Sequence, residues 1–430
     1  MAKPFVLAID GPAGAGKSTT ARGVAARLNL LHVDSGAMYR AVGVGARAAG
    51  VPLEDESALL ERVRAMRFEV GREGLSLDGA LLGEEIRTAD ADEAASRVAV
   101  HPRLRQRLVS LQRSLARPPG LVMEGRDIGT VVFPDADLKI FVSASPAARA
   151  RRRWEELRSR GESADLPAIE QAIRERDRRD SERSASPLQR APDALLLDTT
   201  ELTPEQQVDL AAHWADLARR PVPPMSLIFR IGHDFAALFA RTCLRLELRG
   251  LEGIPMRGPL LIASNHISYW DPPLVGSLVP REVHFLAKEE LFRNRLFGAL
   301  ITRYNSIPIR RGPQARSALR GAEEVLADGG AVIIFPEGTR SRSGEFLPPR
   351  AGIARLAAHG RAPVLPVYIS GSNQIRRSML RRVPVRISFG APMMPPVGSE
   401  GNREAERAYT RSVMEAISAL REEQRRTPWK

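Results

Sequence analysis

The sequence predicts an α/β protein of two consecutive domains, each a largely parallel sheet packed with helices, and three observations carry that prediction. An apolar run over residues 5–9 opens into the glycine loop Gly11-Pro12-Ala13-Gly14-Ala15-Gly16-Lys17-Ser18 and then into an alanine-rich helical pattern from Thr19. A second buried-type run, Pro259-Leu260-Leu261-Ile262-Ala263-Ser264, delivers the polar stretch Asn265-His266-Ile267-Ser268-Tyr269-Trp270-Asp271. Between them Pro221-Val222-Pro223-Pro224 carries no periodic pattern, so domains are expected at 1–220 and 225–430 with 221–224 as a semi-rigid linker. A length of 430 residues is too great for one ordinary core and suits two or three.

Strand, glycine loop and helix in that order are the context in which G-x-x-x-x-G-K-S binds nucleotide phosphates. Glycines let successive N–H groups curl around an anion, the helix N-terminus adds a favourable dipole, and a lysine bridges the β- and γ-phosphates. The ATP-binding candidates are Gly11, Pro12, Ala13, Gly14, Ala15, Gly16, Lys17, Ser18 and Thr19. Lys17 is also a catalytic candidate, and Ser18 would reach the Mg²⁺ that accompanies ATP. An ordinary glycine turn needs one or two glycines and no lysine.

Leu31-His32-Val33 reads as a short strand, and Asp34-Ser35-Gly36-Ala37-Met38-Tyr39-Arg40 leads into a helix for which Asp34 or Ser35 could be a simple N-cap. Residues 67–82 alternate and turn like a small antiparallel insert. Leu121-Val122-Met123 is a buried-type strand ending in Glu124-Gly125-Arg126-Asp127-Ile128-Gly129-Thr130, and polar residues at such a carboxyl end face the ligand crevice of an open α/β sheet. Another strand follows at Lys139-Ile140-Phe141-Val142, then basic helices over 149–160 and 169–183, a last strand over 194–197 and a closing helix over 204–219.

Residues 1–220 resemble cytidylate kinases, a family marked by D-[ST]-G-x-x-Y-R and E-G-R-D-x-G-T elements. The resemblance implies a P-loop nucleoside monophosphate kinase domain: a parallel sheet with helices, a lid over ATP, and a small antiparallel monophosphate-binding insert. It assigns Ser35, Arg40, Ser96, Arg105, Arg126, Asp127, Arg176, Asp180 and Arg183 to CMP, with Arg126 on phosphate and Asp127 on the cytosine amino group or the sugar. The residues alone also allow an Arg126–Asp127 ion pair, solvated helix positions at Ser96 and Arg105, and a solvated charged face over 176–183. The implied reaction is in-line transfer of the γ-phosphoryl of ATP to CMP or dCMP, driven by positioning and charge neutralisation with no side-chain nucleophile.

Residues 225–248 read as one amphipathic helix, with Ile228, Ile231, Phe235, Leu238, Phe239 and Leu246 opposite Arg230, Asp234, Arg241 and Arg245. Such a stripe suits either an anionic membrane interface or packing on its own domain. The His266-x-x-x-x-Asp271 spacing lets a histidine take a hydroxyl proton while a carboxylate orients the ring; Asp271 before Pro272 and Pro273 could equally be a helix N-cap. With Lys288, the Asn305-Ser306-Ile307-Pro308-Ile309-Arg310 segment, Phe335-Pro336-Glu337-Gly338-Thr339-Arg340 and Val364-Leu365-Pro366-Val367, residues 245–370 resemble the glycerolipid acyltransferases of the 1-acylglycerol-3-phosphate type. The resemblance implies an α/β acyltransferase domain, His266 and Asp271 as catalytic residues, and Arg310, Glu337, Gly338, Thr339 and Arg340 around the acyl acceptor. Lysophosphatidate would be acylated from acyl-coenzyme A or acyl-carrier protein, giving phosphatidate with no cofactor.

Composition narrows the partners. Residues 1–220 hold 33 basic and 33 acidic side chains and residues 221–430 hold 31 and 18, so the whole net charge of +13 belongs to the second half. That excess can seek anionic lipid, phosphorylated substrates or nucleic acid; the sparse aromatics argue against base stacking, and no nucleic acid is expected. One cysteine, Cys243, excludes an internal disulfide framework and a cysteine-rich metal site, and no run of 18 apolar residues occurs. A cytoplasmic protein, peripheral on the inner face of the membrane, is expected. An alternative keeps the acyltransferase active and makes the first domain a nucleotide sensor that binds without transferring.

Overall fold

The computed structural model describes residues 3–83, 86–182, 187–220, 224–309, 315–350, 352–396 and 401–426. The chain divides into two compact units, Met1–Arg219 and Arg220–Lys430. Of the expected linker, residues 221–223 lie outside the described ones.

In the first unit β1 (Val6–Asp10) is buried along its whole length, as an apolar run covered on both faces must be. It leads through α1 (Lys17–Leu28), β2 (Leu31–Asp34), α2 (Ser35–Ala48) and α3 (Glu56–Ala65) to a three-stranded antiparallel insert, β3 (Phe68–Val70), β4 (Leu75–Leu77) and β5 (Ala80–Leu81). Then come α4 (Ala89–Val98), α5 (Pro102–Ser114), β6 (Leu121–Gly125), β7 (Leu138–Ser143), α6 (Pro146–Ser159), α7 (Leu166–Glu182), β8 (Leu195–Asp198) and α8 (Pro204–Arg219). The main sheet is parallel in the order β2-β6-β1-β7-β8. Its register sets Asp10 beside Gly125 and Phe141, and Asp34 beside Glu124, so the loops after β1, β2 and β6 leave the sheet at one level. Met38, Leu59, Leu104, Leu108 and Met123 pack one face, and Trp214 of α8 is fully buried.

The second unit runs α9 (Leu227–Cys243), β9 (Leu246–Arg249), β10 (Leu260–Ser264), α10 (Asp271–Gly276), β11 (Val283–Lys288), α11 (Arg295–Arg303), β12 (Ser306–Ile309) and α12 (Ala315–Ala327). It continues with β13 (Ala331–Ile334), α13 (Gly352–His359), β14 (Val364–Ser370), α14 (Ile375–Met379), β15 (Val385–Phe389) and α15 (Arg403–Arg426). The sheet order is β12-β11-β13-β10-β14-β15-β9, with β14 and β15 antiparallel and the other pairs parallel. Alternation along β10 sends Leu260 and Ile262 to the face packed by Phe229, Leu274 and Val275, and Leu261 and Ala263 to the face packed by Ile353, Leu356, Val413 and Ile417.

The expected helix over 225–248 is corrected: it stops at Cys243, and Leu246 belongs to β9, which pairs with β15. Arg245-Leu246-Glu247-Leu248-Arg249 alternates charged and apolar residues with period two, which suits an edge strand and not a helix. Among the described residues no helix is long and apolar enough to cross a membrane.

Because the two units have separate cores, Trp214→Ala is expected to lower the calorimetric transition of the first unit alone. A cavity of that size costs about 3–5 kcal/mol, roughly 10 °C for a unit of this length. A common shift of both transitions would contradict the division.

Candidate active sites

In the glycine loop of the first unit five carbonyls have donors. Gly11 O accepts from Arg126 Nη1 at 3.1 Å, Pro12 O from Lys17 Nζ at 2.7 Å, Ala13 O from Arg149 Nη1 at 3.1 Å and Ala15 O from Thr199 Oγ1 at 2.8 Å. Gly16 O takes the Thr20 N–H and hydroxyl. With the carbonyls held this way the loop keeps its N–H groups for an anion. Glycine is required at position 11, where φ is +149° and a Cβ would stand 2.0 Å from Val142 O.

Around this loop the described arginines expected at the monophosphate each meet a carboxylate. Arg126 Nε donates to Asp180 at 3.1 Å, Arg40 to Asp34 at 2.6 Å and Asp92 at 3.4 Å, and buried Arg105 to Asp127. The Arg126–Asp127 pair open to the sequence therefore does not form, and both residues take partners from helices far along the chain. Ser35 Oγ donates to Glu124 O at 2.7 Å, while Asp34 caps α2 by accepting from Ala37 N. Arg176 sits 4.0 Å from Asp92, Ser96 is exposed on α4, and Arg183 lies outside the described residues.

Sequence reasoning passed over Asp10, Glu124 and Arg149. Asp10 accepts from Ile128 N at 2.8 Å and Gly129 N at 2.7 Å, drawing the loop after β6 onto the base of the glycine loop; the signal was an acid closing an otherwise apolar strand. Glu124 accepts from Ser18 Oγ at 2.6 Å and stands 3.0 Å from His32 Nε2. Arg149, almost wholly buried, joins Ala13 O to Asp177 of α7.

Burial pushes the Asp10 carboxyl up to about 6. Burial, reinforced by the Arg126 charge, pulls the Lys17 ammonium down to about 7.

In the second unit the ends of β10, β13 and β14 converge, and Asp271 organises them. Its Oδ2 accepts from His266 Nδ1 at 2.8 Å and from the backbone N–H groups of Ile267 and Ser268 at 2.7 Å each; its Oδ1 accepts from Ser372 Oγ at 2.5 Å. Asp271 is completely buried and bonds residues that precede it, with Trp270 at the cap position, so the N-cap alternative is set aside. With Nδ1–H committed to Asp271, the imidazole keeps its lone pair on Nε2. Phe335 stacks on the ring at 4.1 Å between centroids.

Glu337, expected at the acyl acceptor, is tied to backbone: Oε1 accepts from His266 N at 3.2 Å and Oε2 from Leu347 N at 3.0 Å, and burial raises its pKa. Gly338 has φ +64°, Arg340 lies 3.4 Å over the Tyr269 ring, and Ser341 N donates to His266 O at 2.7 Å, so the segment after β13 lies against the histidine loop. Thr339 is half-buried beside them, and Arg310 lies outside the described residues. Lys288 caps the short turn after β11.

Residues 7–216 match the family model described as Cytidylate kinase. The cytidylate kinase of Pelotomaculum thermopropionicum is 48% identical over 219 residues, 50% of this chain and 97% of that one. The chain belongs to the cytidylate kinase family. A bifunctional pantoate ligase/cytidylate kinase of Synechococcus is 46% identical over 212 residues, 47% of this chain and 39% of that protein. Residues 245–370 match the family model described as Acyltransferase, so a cytidylate kinase domain and an acyltransferase domain share one polypeptide. The structure of a 1-acyl-sn-glycerophosphate acyltransferase from Thermotoga maritima is 29% identical, covering 44% of this chain and 78% of that one, with a TM-score of 0.35.

The buried lysine gives a pH signature. Unfolded Lys17 stays protonated to about 10.5, whereas folded Lys17 releases its proton near 7, so between those values the unfolded state binds more protons and stability rises with pH. Asp10 works oppositely at lower pH, with stability lost as pH rises from 3.8 through about 6. Lys17→Met is therefore expected to raise the melting temperature of the first unit more at pH 6 than at pH 9; an equal rise at both would overturn the assignment.

Proposed function

We propose that the first unit transfers the γ-phosphoryl group of ATP to the phosphate of CMP or dCMP. The observation that carries this is the glycine loop, whose Gly11, Pro12, Ala13 and Ala15 carbonyls are taken up by donors, beside a group of paired arginines. Lys17 exchanges Pro12 O for the β- and γ-phosphates, and the arriving charge restores its protonated form. Arg126, Arg40 and Arg105 exchange or share their carboxylates with the monophosphate, while Asp180 and Asp127 turn to the sugar and base. Ser18 Oγ and Glu124 Oε2, 2.6 Å apart, form an oxygen donor set suited to Mg²⁺, which supplies charge neutralisation at the phosphates when it arrives with ATP.

For the second unit the reading is acylation of 1-acylglycerol-3-phosphate, supported by the oriented His266–Asp271 pair. His266 Nε2 takes the proton of the free hydroxyl as its oxygen attacks the thioester carbonyl; a C–O bond forms, the C–S bond breaks, and the proton passes to the thiolate. Arg340, with Arg310, is assigned to the acceptor phosphate. The reading requires no covalent acyl-enzyme.

An amphiphilic acceptor implies work at a bilayer, and the surface of the second unit supports it. Of its exposed large apolar side chains, Leu227, Ile228, Ile231, Phe235 and Leu238 lie on α9, Leu296, Phe297 and Leu300 on α11, and Tyr269 and Trp270 beside His266. Gly232 and Phe229 of α9 pack on Tyr304 at the end of α11, and Phe239 stacks on Trp270 at 5.7 Å, so α9 joins the other two. Arg230, Arg241, Arg293, Arg295 and Arg303 accompany them, and each basic residue near an anionic surface contributes about 1 kcal/mol.

Two measurements test these readings. Lys17→Ala is expected to abolish CMP-dependent formation of ADP and leave acyl transfer to lysophosphatidate intact, while His266→Ala does the reverse with acceptor affinity nearly unchanged. Loss of both activities in one folded variant would sink the two-site reading. In flotation with anionic vesicles at low salt, the chain should rise with the lipid, and a Phe235→Ser, Leu296→Ser variant should stay behind; equal flotation of both would remove these helices from the docking face.

A further inference from the structure

We propose that Ser372 is a positioning residue of the acyl-transfer site, the donor that fixes the direction in which the Asp271 carboxylate faces His266. The proposal rests on the acyl-transfer reading of the second unit. Oδ2 of Asp271 holds three donors, His266 Nδ1 and the N–H groups of Ile267 and Ser268. Among the described residues Oδ1 has one, the Ser372 hydroxyl at 2.5 Å. Both residues are buried, Asp271 completely and Ser372 at 1% exposure, so no solvent can replace that bond.

The serine is delivered by a side-chain clamp and a glycine turn at the end of β14. Asn265, next to His266, clamps the end of β14: its Oδ1 accepts from Ile369 N at 2.8 Å and its Nδ2 donates to Ile369 O at 2.9 Å. Two residues on, Gly371 turns the chain with φ +78° at a point where a Cβ would lie 2.1 Å from Pro384 O. The turn places Ser372 under Asp271, 101 residues from it in sequence. Three side-chain hydrogen bonds thus link the segments after β10 to β14 and its turn: the two of the amide clamp set the height of the histidine loop, and the hydroxyl sets the rotation of the carboxylate about its Cβ–Cγ bond.

Removing the hydroxyl leaves Oδ1 with no donor in a dry site, which raises the free energy of the carboxylate and concentrates its charge on Oδ2. Asp271 then holds protons more readily, and imidazolium at His266 is favoured; both shift the working form of the pair to higher pH. Among the described residues the other charged groups at this loop are Glu337, bonded to His266 N, and Arg340, stacked on Tyr269; neither bonds Ser372.

The test uses the full chain with lysophosphatidate and an acyl thioester. Ser372→Ala is expected to lower kcat by about 10- to 100-fold, with the acceptor KM little changed, and to move the acid limb of the kcat profile to higher pH. Ser372→Thr, which retains the hydroxyl, is expected to restore both rate and profile. The calorimetric transition of the second unit, read on the same preparation and expected to persist in the variant, serves as the folding control. If Ser372→Ala matches the wild type in kcat and in pH profile, or Ser372→Thr is as impaired as Ser372→Ala, the serine has no positioning role. If the wild-type chain transfers no acyl group to any lysoglycerophosphate, the acyl-transfer reading fails, and this proposal with it.

Discussion

Both sites depend on a single constraint: backbone groups at the end of a parallel strand leave the sheet ladder and must find other partners. The two units answer it with opposite polarity. In the first, side-chain donors from Arg126, Lys17, Arg149 and Thr199 cap the loop carbonyls, and the N–H groups are left for an incoming anion. In the second, the carboxylates of Asp271 and Glu337 take the N–H groups of residues 266, 267 and 268, so the loop after β10 offers no anion nest. What remains there is a nitrogen lone pair on an oriented ring. One loop is built to receive charge and the other to hold a base.

The first unit's arginines show how closely gathered cations are held together. So many cations would repel one another, yet Asp34, Asp92, Asp127, Asp177 and Asp180 stand against them. Asp177 and Asp180 lie on the same helix, so α7 neutralises two arginines that flank the glycine loop. On the proposed kinase reading, substrate binding is an exchange of counter-ions, which lowers the desolvation cost of bringing phosphate to buried cations.

What could be read from sequence follows from the range of the interactions. The glycine loop, the strand runs, the antiparallel insert and the His266-x-x-x-x-Asp271 spacing are local patterns, and each sits where its pattern put it. Pairings set by helix packing were not legible. Asp180 reaches Arg126 across 54 residues, and Ser372 reaches Asp271 across 101, with no periodicity to announce either. Glu337 was visible, but its two backbone partners were not, because the N–H groups a carboxylate meets leave no mark in the sequence. The helix over 225–248 was read too long because its last residues kept an apolar stripe while changing period.

Gly371 has a consequence for the way this chain can change. A side chain there meets two separate obstacles, a left-handed backbone and the oxygen of Pro384, and neither can be relieved by a neighbour's substitution alone. Position 371 is therefore closed to stepwise drift, and the residue after it inherits a fixed location whatever happens to the rest of that turn. Variation is channelled outward to Asn373, which is exposed. A mutational library across this turn would thus tolerate changes at one site and reject them two residues earlier, drawing in survival counts the outline of a turn that no local pattern in the sequence marks.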